Sequence, residues 1–107
     1  MLSRIKVTFC AHDEPNDLCG PNIWLQRLLP DLRLRGIESR VLFMTFDAKE
    51  GPTVTALRQQ GFDCPSILWP QYTEERIRWI LERVKEDPPD VFVPNLSPPA
   101  YFAGRWV

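Results

Sequence analysis

The chain has 107 residues, with 13 Lys+Arg against 14 Asp+Glu and a formal net charge of −1. That length holds one domain at most, and the balanced charge lacks the basic surplus of a dedicated nucleic-acid binder. No apolar run reaches the roughly 18 residues of a membrane helix, and residues 1–7 lack the apolar stretch of a secretory signal, so the expectation is a cytoplasmic, non-transmembrane protein.

Residues 5–11 are β-branched and aromatic and predict a first strand. A polar loop follows over 12–21, with Pro15, Gly20 and Pro21. A helix opens at 22–29, where Asn22 is placed to cap it, and Leu25, Leu28, Leu29 and Leu32 continue one apolar face. Pro30 lies inside that face and predicts a kinked single helix rather than two short ones. Gly36 suits the left-handed residue that ends it. Residues 39–46 form a nearly continuous apolar run, expected of a strand covered on both faces.

A turn over 47–52 leads to a short helix, 53–60, closed by Gly61. Residues 63–69 predict a short third strand, placed at a sheet edge because Pro65 cannot donate to a ladder. Thr73 is placed to cap a long helix, with Glu74 and Glu75 at its positive end and Ile77, Ile80, Leu81 and Val84 as its buried stripe. Pro88, Pro89 and Asp90 break it. Residues 91–93 are a fourth strand, ended by Pro94 and Asn95, and 98–107 start a last helix that carries no stop signal. The order βαβαβαβα implies a parallel sheet with helices on both faces.

Cys10, Cys19 and Cys64 match no zinc or redox spacing, and Cys10 and Cys64 read as small core hydrophobes. An odd count without a signal fits a reducing compartment. In an open parallel sheet, ligands bind beyond the carboxyl ends of the strands. Two loops qualify, 12–22 and 94–98. Gly20 at a helix start serves either an anion site or a tight turn. It belongs neither to GxGxxG nor to GxxxxGK[ST], which disfavours a dinucleotide or a P-loop function. His12, the sole histidine, suits a general base or a hydrogen-bonded loop residue. Asp13, Glu14 and Asp17 lack metal-loop spacing and read as a solvated acidic loop, so no metal is expected. A receiver-type acidic pocket fails because no Lys follows a later strand. Trp24, Trp69, Trp79 and Trp106 are read as core and interface residues rather than a sugar platform.

Several of these features together resemble the N-terminal half of retaining, GT-B-fold glycosyltransferases of the group 1, or family 4, type. The features are a strand, a loop ending in glycine at a helix start, a leucine-rich helix ending Leu32-Arg33-Leu34-Arg35-Gly36-Ile37-Glu38, and the strand Val41-Leu42-Phe43. Pro89-Asp90-Val91-Phe92-Val93 with its following loop and Ala/aromatic helix is similar to the family's fourth strand. The resemblance implies sugar transfer from a nucleotide-sugar donor to an acceptor across a cleft between two Rossmann-like domains. It implies no separate cofactor. Carried over by position, Gly20, Pro21 and Asn22 match the glycine loop, whose first glycine is Cys19 here. Asn95 and Ser97 match the loop after the fourth strand, where Val93 and Asn95 stand in places that often hold histidine.

The resulting expectation is a Rossmann-like three-layer α/β/α domain spanning 1–107, with strand order 3-2-1-4 and a truncated last helix. It would be the acceptor-side part of a larger enzyme, inactive without a C-terminal domain that binds the nucleotide. Substrate contacts are expected at Cys19, Gly20, Pro21, Asn22, Asn95 and Ser97, with His12 and Asp13 in a neighbouring polar loop. No catalytic residue is assigned. The competing expectation is a free-standing Rossmann-like binding module that forms a homodimer through the exposed edge of the fourth strand.

Overall fold

The computed structural model describes residues 4–13, 20–45, 50–68, 73–94 and Gly104. Four strands and three helices alternate along it: β1 (Lys6–Asp13), α1 (Gly20–Leu34), β2 (Glu38–Thr45), α2 (Pro52–Gln59), β3 (Ser66–Leu68), α3 (Thr73–Glu86) and β4 (Val91–Val93). Of the expected helix over 98–107 only Gly104 is described, in a turn. All strand pairs are parallel and their order is β3-β2-β1-β4, as the sequence led us to expect.

Two crossovers step one way across the sheet and the third steps back past both earlier strands. Right-handed crossovers then put α1 and α2 on one face and α3 on the other. The core divides accordingly. Phe9, Ala11, Val41 and Phe43 pack against Leu25 and Leu29 of α1 and Val54 and Leu57 of α2. On the opposite face Cys10, Leu42 and Met44 pack against Ile80 and Val84 of α3. The alternation follows from the two-residue period of a strand. It accounts for β2, where every residue from Ser39 to Thr45 is buried, because both faces are covered. Cys10 and Cys64 are free buried thiols, each pushed up to about 12 by burial, which makes them inert packing residues.

α1 runs unbroken through Pro30. It starts two residues earlier than the capping pattern suggests, with Pro21 in the first turn, where its missing N–H and preset φ cost nothing. Asn22 therefore stands inside the helix rather than at its cap. Both α1 and α2 end in the same way. The Ile37 N–H reaches the Leu32 carbonyl at 2.9 Å and the Gly36 N–H reaches Arg33 at 3.0 Å; Phe62 and Gly61 do the same to Leu57 and Arg58 at 3.1 and 2.9 Å. These are Schellman motifs, and their pivots need left-handed backbone: φ is +80° at Gly36 and +87° at Gly61.

Edge assignments follow the residue chemistry. Pro65 precedes the outer strand β3 and contributes only its carbonyl, which accepts the Phe43 N–H at 2.8 Å. β4 is fastened at its start to β1: Asp90 N–H donates to the Lys6 carbonyl at 2.8 Å, and its carboxylate accepts the Lys6 N–H at 2.8 Å. Lys6 Nζ adds an ion pair to Asp87 at 2.9 Å, about half exposed on both sides and so worth little by itself.

Gly36→Ala isolates the cost of the left-handed turn, because an added Cβ would meet nothing within 4 Å. Urea unfolding should show a loss of roughly 1–2 kcal/mol with an unchanged slope.

Candidate functional site

The strand order reverses between β1, whose neighbours on one side are β2 and β3, and β4 on the other. The carboxyl ends of β1 and β4 are therefore the switch point at which open α/β sheets place ligands. β1 extends further into this region than its composition suggests. His12 and Asp13 were expected in the loop, but they pair with Met44 and Thr45 as the last two rungs of the ladder. The long apolar β2 supplies backbone partners that far, and pairing prevails over the local polarity.

Because they are consecutive strand residues, His12 and Asp13 face opposite sides of the sheet. Asp13 is fully buried on the side of α1 and α2, which corrects its reading as part of a solvated acidic loop. Its Oδ2 accepts the Val54 N–H at 3.2 Å. Val54 is the third residue of α2, whose N-cap is Gly51 and which has no side-chain cap of its own. Asp13 thus supplies from β1 the acceptor that a local Ser or Asp would ordinarily provide, at the positive end of the helix dipole. Burial still pushes its carboxyl above the usual range, with the N–H groups of Val54, Gly51 and Thr53 pulling the other way.

Asn22 makes the second tie at this edge. It is buried, and its Nδ2 donates to the His12 carbonyl at 2.7 Å. The bond fixes the start of α1 against the end of β1. The His12 ring, on the α3 side, is half-buried, and burial lowers its pKa. At neutral pH it is an uncharged imidazole, able to accept a proton or a hydrogen bond.

Two residues at this edge escaped the sequence reading. Thr45 and Leu68 pair across β2 and β3, and Thr45 in turn pairs with Asp13, so one register row crosses the carboxyl end of the sheet. At its far end the Leu68 carbonyl accepts a hydrogen bond from Arg76 Nη2. Arg76 is the largest fully buried side chain, and burial lowers its pKa against the opposing field of Glu75. In the sequence it sits among charged neighbours at the start of α3 and looks like a solvent-facing residue. Thr53, also buried, lies beside Asp13 at the mouth of α2.

Of the expected contact residues, Gly20 and Pro21 form the opening of α1 and Asn22 packs under it. Cys19, Asn95 and Ser97 lie outside the described residues. Among the described residues no group of His, Cys, Asp and Glu could hold a metal ion, and no helix is long and apolar enough to cross a membrane. No protein-family model, no curated protein and no solved structure matches the chain. The fold itself is α/β and consistent with a Rossmann-like domain.

The two β1 groups give opposite pH dependences. A carboxyl whose pKa is raised by folding makes the native state the better proton binder, so its contribution falls as pH rises from the ordinary carboxylate range through the raised value. A histidine whose pKa is lowered contributes stability above its ordinary 6.5 that is lost as pH falls through the lowered value. Urea midpoints measured from about pH 4 to 8 should lose the second effect in His12→Gln and the first in Asp13→Asn.

Proposed function

We propose that this chain is part of the acceptor-side, N-terminal domain of a two-domain glycosyltransferase. The whole enzyme would move a sugar from a nucleotide-sugar donor to an acceptor, and this part would not catalyse transfer alone. The observation that carries the reading is the carboxyl end of β1 at the switch point. There, α1 opens at Gly20 and Asn22 ties its start to the end of β1 by a 2.7 Å bond to the His12 carbonyl. A helix N-terminus at this end of the sheet suits a phosphate or a sugar hydroxyl.

The resemblance of residues 32–38 and 89–93 to group 1 glycosyltransferases supplies the reaction class. In this reading Asn95 and Ser97, in the sequence that follows β4, add neutral hydrogen-bonding groups. His12, which burial keeps uncharged at neutral pH, would act on an acceptor hydroxyl. The net charge of −1 fits a domain that leaves the nucleotide phosphates to its partner domain.

The test is the reading frame beyond Val107 followed by assay of its whole product. A second βαβ series bearing a spaced pair of glutamates, and release of nucleoside diphosphate from a panel of nucleotide sugars, is the expected result. A stop codon directly after Val107 sinks the proposal, as does a full-length product that turns over none of the panel.

One observation favours a second reading, a self-associating binding module. Among the described residues β4 is an outer strand with nothing paired beyond it, and Val91 on it is 46% exposed. That reading expects a concentration-dependent dimer in sedimentation velocity, reduced by Val91→Lys. A strict monomer at high concentration removes it.

A further inference from the structure

The opposite edge of the sheet holds a feature that the reading above does not use. A cavity of about 180 Å³ wraps the amino ends of β1 and β2. Four basic side chains line it, those of Arg4, Lys6, Arg33 and Arg40.

The strand alternation divides this cavity into two sides. On the α3 side the charges are already matched. Lys6 meets Asp87 at 2.9 Å, Arg40 meets Asp63 at 3.3 Å, and the field of Glu38 also reaches Lys6. On the α1 and α2 side the wall is made by Arg33, Ser39 and Phe62 with apolar neighbours. Arg33 has no carboxylate partner among the described residues, and neither does Arg4 at the rim.

Arg33 is nevertheless held in place. Its guanidinium lies over the Phe62 ring, with Cζ 3.8 Å from the centroid. Stacking occupies the face of the guanidinium and leaves its N–H donors, which lie in its plane, open to an oxyanion. The Ser39 hydroxyl is the second observation. Ser39 is 8% exposed, lines the cavity, and its Oγ has no hydrogen-bond partner among the described residues. Buried hydroxyls are ordinarily paired, so one left open in the same cavity as an unpaired guanidinium points to a ligand. Helix C-termini usually repel anions. Here two carbonyls in the last turn of each helix, those of Leu32 and Arg33 and of Leu57 and Arg58, are taken up by the Schellman motifs.

We propose that this cavity binds a small oxyanion, free or as the phosphate group of a larger ligand, through the Phe62-stacked guanidinium of Arg33 and the Ser39 hydroxyl. Arg4 adds positive charge at the rim. The site is separate from the carboxyl-edge crevice and does not depend on the function proposed for it.

The experiment is a ¹⁵N–¹H titration of the chain with inorganic phosphate and, separately, with a phosphomonoester, at ionic strength held constant with chloride. Saturable shifts are expected at the Ser39, Gly61 and Phe62 amides. Arg33→Gln should weaken the apparent affinity about tenfold, the effect of losing a charge-assisted bond. Ser39→Ala should weaken it several-fold with the fold intact, which keeps the test valid if the arginine variant unfolds. Arg78→Gln, on the exposed face of α3, should leave affinity unchanged. A tighter fit for the ester assigns the site to a phosphorylated ligand, and equal affinity assigns it to the free anion. Shifts that never saturate, that chloride reproduces, or that survive Ser39→Ala undiminished overturn the proposal.

Discussion

The structure depends on β1 being enclosed on all sides. It is paired along its whole length with β2 and over three residues with β4, and helices cover both its faces. Five of its eight residues are buried, so a polar side chain there is largely cut off from water and gains from a protein partner. The groups at its carboxyl end, which are charged or polar in the sequence, are therefore the ones that organise the molecule around them.

Asp13 shows how this works. A buried carboxylate is costly unless something compensates it. The helix that follows β2 begins beside it, and that helix starts with Gly51 and Pro52, neither of which can cap it by a side chain. Each defect corrects the other: the carboxylate gains N–H donors and the helix gains an acceptor. Asn22 does a similar service for α1, satisfying the last part of β1 from inside the helix. Two helices on one face are thus fixed to one strand by polar bonds at their beginnings and closed by Schellman turns at their ends. What remains at the carboxyl edge is a rigid floor with an uncharged imidazole and a helix start above it. The opposite edge carries the arginine stacked on Phe62.

Much of this was legible in the residues. The apolar run 39–45 belongs to a strand covered on both faces, Pro65 leads into an outer strand, and Gly36 and Gly61 mark helix ends, each through a local steric or solvation rule. The site was less legible. His12 and Asp13 look like loop residues because their side chains are polar, yet strand membership is decided by what backbone lies alongside, and β2 lies alongside as far as Thr45. Asn22 has the composition of a cap and acts as a brace, because the helix begins before it. Arg76 has the composition of a surface residue, but the end of β3 comes close enough to take its guanidinium. The amino-edge cavity had no sequence signal, since Arg33, Ser39 and Phe62 come from three different elements.

The sequence by itself determined the alternation of strands and helices, the points at which helices stop, and which strands are too apolar to stand at an edge. These are consequences of hydrophobic period, of left-handed glycines and of the missing proline donor, and all act within a few residues. Only the tertiary structure decided which polar groups become buried and what they then meet. Burial and pairing of Asp13, Asn22, Arg76 and Ser39 depend on segments far away along the chain, and a one-dimensional pattern does not say which segments those are.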